Sequence, residues 1–383
     1  MAIPFIDLQA QRVRLGAPLE DAILAAVRSG AWILGPQVRE LEAKLAEFCG
    51  AAHGLACANG TDALALPLMA WGVGEGDAVF CPSFTFAATA EVVPWVNATP
   101  VFVDITAGTY GMDPAHLEAS IEAVKREGKL TPKVIIAVDL FGQPADYPAI
   151  AAIAKRHGLK LIADSAQGYG CTFDGKHPMH WADAVTTSFF PAKPLGCYGD
   201  GGAVLTNSAE DLKAMRSFAV HGGGDDKYDN IRIGMNSRLD TVQAAILLKK
   251  LEVFPQEIVW RNEAADRYAK GLAPHVRAVA RVIDKGYSTW AQYTIEHDDR
   301  DGLAAHLKEA GVPTAIYYPK PLHRQTAYRA FPTGPGGLPN TDAAAGRVIS
   351  LPMHADLKAD VQQTIIDAVA AYGAKPALRA KAG

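Results

Sequence analysis

Apolar and polar positions along the first two hundred residues alternate between two spacings. Residues 17–30 and 36–49 repeat apolar side chains at helical intervals, with the Gly/Pro-punctuated Gly30-Ala-Trp-Ile-Leu-Gly-Pro36 between them. Short apolar runs follow at Gly54–Ala58, Ala78–Cys81, Pro100–Val103, Lys133–Val138, Lys160–Ala163, Ala184–Phe190 and Ala203–Thr206, and each reads as a buried strand. Helical patterns separate them at Ala63–Trp71, from about Thr85 with Phe86 in its first turn, and at Pro114–Arg126 and Tyr147–His157. Strands alternating with helices predict an α/β fold whose mainly parallel sheet is covered on both faces.

Beyond Ala209 a helix reaches about Val220, and the glycine-rich His221-Gly-Gly-Gly-Asp-Asp226 follows. A long amphipathic helix, expected to be interrupted at Pro255, runs to about Leu272 and leads into a smaller α+β segment. That segment predicts strands Ala291–Glu296 and Thr314–Tyr317, helices Gly302–Ala310 and Ala359–Tyr372, a loop over Pro332–Asn340 and a frayed tail after Gly373. The expected division is a large domain over 1–250 and a small C-terminal domain over 251–383, in keeping with a 383-residue chain.

Composition removes several function classes. A net charge of -4 without runs of like charge argues against nucleic acid as a partner, and no apolar run is long enough to span a membrane. The N-terminus lacks a secretory pattern, and five scattered cysteines without Cys-x-x-Cys predict reduced thiols, a cytoplasmic setting and no disulfide or zinc framework. Dinucleotide, Walker, His-Glu-x-x-His and Gly-x-Ser-x-Gly signatures are all missing, so no metal is expected.

Chemistry gathers at the predicted strand ends, where open α/β sheets bind ligands. Lys193 stands alone between two interior strands in Ser188–Gly202; in isolation it fits a turn lysine as well as an amine of depressed pKa. Asn59-Gly-Thr-Asp62 joins a strand to a helix N-terminus, which suits either a phosphate or an ordinary N-cap. Asp164 ends a strand, where it fits a helix cap or a buried carboxylate. Together these parts make a pyridoxal 5'-phosphate site: Lys193 supplies the amine, Asp164 the carboxylate for the pyridine nitrogen, Gly60, Thr61 and Ser188 the phosphate cradle, and Phe86 a surface for the ring.

The motifs Asn59-Gly-Thr-Asp-Ala-Leu64, Pro82-Ser-Phe-Thr-Phe86, Ala163-Asp-Ser-Ala-Gln167, Ser188–Gly202 and Asn236-Ser-Arg-Leu-Asp240 resemble the DegT/DnrJ/EryC1/StrS nucleotide-sugar aminotransferases, over roughly Phe5 to Ala371. The resemblance implies fold type I, a homodimer with active sites at the subunit interface, and transfer of the amino group of L-glutamate to a nucleotide-linked keto sugar. It implies Lys193 as the Schiff-base lysine, Asp164 as pyridinium partner, Gln167 at the ring hydroxyl, Thr61 and Ser188 on the phosphate and Phe86 over the ring. Asn236 is implied to reach the phosphate of the neighbouring subunit. Ala163 and Asp200 depart from the family's usual glutamates without removing a reacting group.

Among these enzymes the chain looks most like those that aminate UDP-2-acetamido-2-deoxy-3-oxo-glucuronate at C3 for surface polysaccharides. Arg238 is the candidate for the uronate carboxylate, with pairing to Asp240 or capping of a carbonyl as the competing role. Tyr317, Tyr318 and His323 are expected to line the sugar pocket. Alternatives are amination at C4 of a UDP-, dTDP- or GDP-4-keto-6-deoxy sugar, the related sugar dehydratases, which carry histidine where this chain has Lys193, and a PLP-binding regulator without turnover.

Overall fold

The protein's structure is a computed structural model that describes residues 3–226 and 228–373; the frayed tail expected after Gly373 falls outside them. Helix α1 (Leu8–Ser29) begins well before the predicted residue 17, because the Asp7 carboxylate accepts the Ala10 N–H at 2.8 Å and starts an earlier segment. Gly16, at φ 58°, breaks the helical backbone inside α1, and this is why the periodicity reads cleanly only from residue 17. Helix α2 (Pro36–Cys49) follows with proline in its first turn and Gly50 in the left-handed conformation at its end.

The alternating region then runs β1 (His53–Cys57), α3 (Gly60–Ala70), β2 (Asp77–Pro82), α4 (Ala88–Trp95), β3 (Thr99–Val103), α5 (Pro114–Glu127), β4 (Thr131–Val138) and α6 (Tyr147–His157). It continues with β5 (Lys160–Asp164), the two-residue β6 (Thr172–Phe173), β7 (Ala184–Ser188), β8 (Gly202–Thr206) and α7 (Ala209–Ala219). Strands pair in the order β1-β8-β7-β5-β4-β2-β3, and only β8 runs against its neighbours. The mainly parallel sheet is therefore present as expected. Successive side chains point to opposite faces: Phe80, Ile135, Leu161 and Val185 join one core, while Val79, Val134, Ile136 and Ile162 join the other.

Helix α8 (Thr241–Leu272) corrects one expectation, since it passes through Pro255 without interruption. Proline removes one backbone hydrogen bond, but α8 packs against α1 and α2 and buries Leu251, Phe254 and Ile258 around that point. Packing outweighs the single lost bond. After it come β9 (Gly286–Tyr287), β10 (Tyr293–Glu296), α9 (Arg300–Glu309), α10 (Pro339–Arg347), β11 (Val348–Leu351) and α11 (Ala359–Gly373). Strand β10 pairs antiparallel with β11, and Tyr268, Tyr293, Ile295, Leu303, Ile349 and Ile365 form a separate core beneath them.

Four other boundaries differ from the sequence pattern. Residue 86 precedes α4 instead of lying in its first turn, because the helix starts at Ala88. Strand β7 ends at Ser188, after which the chain turns into the lysine loop. The strand expected at 314–317 is a single bridge from Ala315 to Ser350. Loop 332–340 gives way to α10 at Pro339, where proline at the first turn needs no N–H partner.

Candidate active site

Strands β1, β2, β4, β5 and β7 run in one direction, so their C-terminal ends share an edge of the sheet. A cavity of about 710 Å³ opens there. Its wall includes Gly60, Thr61, Phe86, Asp164, Gln167, Ser188 and Lys193 from the large sheet region, and Tyr317 and Tyr318 from the C-terminal region. Strand order brings Gly60, Asp164 and Lys193 together, although they are far apart in the sequence.

One end of the cavity is shaped for an anion. Asn59 caps α3 by accepting the Asp62 N–H at 2.8 Å, and its carbonyl accepts the Ala63 N–H. The Gly60 and Thr61 N–H groups and the Thr61 hydroxyl have no partner among the described residues, and they stand at the positive end of the helix. Ser188 completes this corner, accepting the Phe190 N–H at 3.3 Å while its own proton has no acceptor among the described residues. A Cβ on Gly60 would lie 2.6 Å from the Ser188 Cβ, and one on Gly202 would lie 2.3 Å from the Asn59 carbonyl oxygen. Both glycines are needed for β1, β7 and β8 to close up behind the cup.

At the other end sits Asp164, fully enclosed at the tip of β5. Its Oδ2 accepts the Thr89 hydroxyl at 2.8 Å, its Oδ1 accepts the Ala166 N–H at 3.2 Å, and Thr85 and Thr89 share a further hydrogen bond of 2.9 Å. Burial raises the carboxyl pKa, opposed by these donors and by the Lys193 charge. Burial lowers the Lys193 pKa, opposed by the Asp164 charge. The amine is thus biased toward its unprotonated, nucleophilic form while keeping a carboxylate in the same cavity.

Gln167 is held from both sides: its Oε1 accepts the Phe141 N–H at 2.7 Å, and its Nε2 donates to the Tyr318 hydroxyl at 3.0 Å. One N–H remains for a ligand. Phe86 is exposed to the cavity, with its ring centroid 6.5 Å from that of Tyr318.

Three residues singled out in the sequence lie outside this chain's cavity. His323 links Ser83, at 2.8 Å, to Asp342, at 3.2 Å. Asn236 is exposed and bridges Val220, next to Ser237, whose hydroxyl accepts the Ala58 N–H. Arg238 forms no ion pair or hydrogen bond with any described residue, so the alternative pairing with Asp240 does not occur. Conversely Ile6, Thr85, Thr89, Asp200, Gln292 and Gln325 line the cavity without having been singled out as ligands. The Thr85/Thr89 pair did leave a signal, two hydroxyls four residues apart after a strand end.

Sheet order, strand-end cavity, enclosed lysine and carboxylate, and an open helix N-terminus define the fold type I architecture of pyridoxal-phosphate-dependent enzymes. The chain belongs to the DegT/DnrJ/EryC1/StrS aminotransferase family, whose model matches residues 15–370. It is 48% identical over 354 residues to the UDP-2-acetamido-2-deoxy-3-oxo-D-glucuronate aminotransferase of Pseudomonas aeruginosa, covering 92% of this chain and 95% of the relative. A crystal structure of a DegT DnrJ EryC1 StrS aminotransferase from Brucella abortus superimposes with a TM-score of 0.95 at 51% identity, covering 97% of this chain and all of that one. A Bacillus subtilis structure with bound cofactor PMP superimposes with a TM-score of 0.84 at 28% identity, covering 98% of this chain and 86% of the other.

Proposed function

We propose that the protein is a pyridoxal 5'-phosphate-dependent aminotransferase that moves the amino group of L-glutamate to C3 of UDP-2-acetamido-2-deoxy-3-oxo-glucuronate. The observation that carries this reading is the cavity that Lys193 and Asp164 share with the anion cup at Gly60, Thr61 and Ser188. The residues fit the cofactor. Gly60, Thr61 and Ser188 would hold its phosphate, Asp164 its pyridine N–H, the free Gln167 N–H its ring hydroxyl, and Phe86 its ring face. When bound, the cofactor supplies an electron sink for breaking the bond to hydrogen at the carbon that carries nitrogen. Lys193 Nζ would hold the cofactor and would carry a proton between substrate atoms, a task suited to an amine of lowered pKa.

The nucleotide sugar proposed is the one that the Pseudomonas relative aminates. Arg238, without a partner among the described residues, is the guanidinium proposed for the uronate carboxylate. We further propose a homodimer in which Asn236 and Arg238 of one copy complete the cavity of the other. Support comes from exposed apolar residues that a lone chain would not hide: Trp32, Ile33, Leu34, Phe190, Ile231 and Ile233. A large domain over 1–250 and a small one over 251–383 remain the proposed division, with α8 spanning the junction. No helix among the described residues is long and apolar enough to cross a membrane, and a cytoplasmic site of action is proposed.

The test is spectroscopic. The cofactor-loaded protein should lose its visible band on addition of L-glutamate and regain it with the 3-keto uronate. Lys193→Ala should end this cycle. Recovery with a 4-keto-6-deoxy sugar instead would move the substrate assignment to C4, and a band indifferent to both substrates would leave a binding protein.

A further inference from the structure

Gln292 is a polar residue of the cavity wall whose side-chain amide has no hydrogen-bond partner among the described residues. Gln292 lies just before β10, about nine-tenths buried, and its backbone N–H is held by the Phe141 carbonyl at 3.3 Å. Its Oε1 is enclosed without a hydrogen-bond partner among the described residues, and none of them accepts from its Nε2. The contrast with the neighbouring amide is direct, since Gln167 is engaged at both ends. A buried amide left unpaired costs about 1–3 kcal/mol, so such a group on a cavity wall reads as an unfilled half of an interaction.

The amide also selects its partner. It offers a donor and an acceptor side by side, which a hydroxyl matches because it accepts and donates at one atom. A carboxylate only accepts, so it would leave Oε1 unpaired and place an anion beside it. Position agrees with this. Phe141 carries the backbone groups that hold both Gln292 and Gln167, which places Gln292 on the Gln167 side of the cavity. We propose that Gln292 binds a ring hydroxyl of the keto sugar and so sets the face of the sugar presented to Lys193; this rests on the aminotransferase reading above.

The experiment compares the cofactor-loaded wild type with Gln292→Leu and Gln292→Glu. Calorimetry reads the affinity for UDP-2-acetamido-2-deoxyglucuronate, the hydroxyl congener that cannot be aminated, and absorbance reads the glutamate half-reaction. Loss of one neutral hydrogen bond with its partner left unpaired should weaken the sugar in Gln292→Leu by about 10-fold. Gln292→Glu, which keeps polarity and size but only accepts, should weaken it at least as much and show that folding is intact. Cofactor loading and the glutamate half-reaction should stay at wild-type level in both. Unchanged sugar affinity in two folded, loaded variants overturns the assignment, as does a lost glutamate half-reaction with sugar binding retained. If the wild type does not bind the uronate, that substrate falls on its own. The same variants are then compared on whichever 4-keto sugar the wild type aminates, where the same contrast decides Gln292.

Discussion

At the scale of single residues the site depends on the environment of two titrating groups. Free lysine carries its proton to a pH near 10.5, but burial lowers that limit for Lys193. The rate at which apo-protein captures the cofactor should therefore rise with pH through a midpoint below 10.5, read by stopped-flow absorbance. Asp164→Asn removes the charge that raises the Lys193 pKa, so its midpoint should move lower still; an upward move would refute the coupling. Thr89 acts on the carboxylate. Without its hydroxyl the enclosed Asp164 loses a charge-assisted hydrogen bond, and Thr89→Val should lower kcat by about 10- to 100-fold while leaving the sugar KM near wild type. A different acid limit comes from His354, whose ring nitrogens are both enclosed without partners among the described residues and whose pKa burial lowers from 6.5 to about 4. Between those values the unfolded chain binds a proton that the native chain refuses, so stability falls as pH drops through the window, by up to about 3 kcal/mol. Urea midpoints at pH 7 and pH 4.5 should differ less in His354→Leu than in wild type.

At the scale of elements, the lysine loop is clamped from behind by α8. The Lys250 ammonium donates to the Gly196 carbonyl at 2.6 Å and lies 4.4 Å from the centre of the Tyr198 ring, while the Gln243 amide exchanges hydrogen bonds with the Tyr198 backbone. Burial lowers the Lys250 pKa to about 8, so this clamp weakens as pH rises past that value. Lys250→Met should loosen the loop and remove that limb from the pH profile of cofactor retention, measured by dialysis at pH 7 and pH 9. Retention with the same pH dependence as wild type would count against the clamp. Elements also show what could be read in the sequence. Lys193, Asp164 and the Asn59–Asp62 turn were legible because each follows a short apolar run, and sheet topology gathers strand ends whatever the intervening chain. Helix α10 was not, since Pro332–Asn340 carries loop punctuation and only the tertiary context uses Pro339 as a first-turn residue. Pro255 misled for the same reason, as its neighbours' burial is invisible in local pattern. Gln292 gave no signal at all: a single polar residue before a strand looks like any other until the opposite wall is in place.

For the whole molecule the open question is how many chains make a site. Lys193, Asp164 and the anion cup come from one chain, whereas Asn236 is exposed and Arg238 has no partner among the described residues. The exposed apolar residues at 32–34, 190, 231 and 233 include Phe190, which also lines the cavity, so a second copy that covered Phe190 would stand at the site. A two-fold dimer built on that surface can trade residues between cavities, and complementation tests this arrangement. Lys193→Ala and Arg238→Ala should each be inactive on the keto uronate. Mixed in equal amounts and allowed to exchange, half of the dimers carry both variants, and each such dimer has one cavity with its own lysine and its partner's arginine. Activity should return to about a quarter of wild type. If each cavity used the arginine of its own chain, every site in the mixture would remain defective and no activity would return. The same mixture separates a structural role for Arg238, because a fold defect in that variant would also depress its glutamate half-reaction, which the uronate-binding role leaves intact.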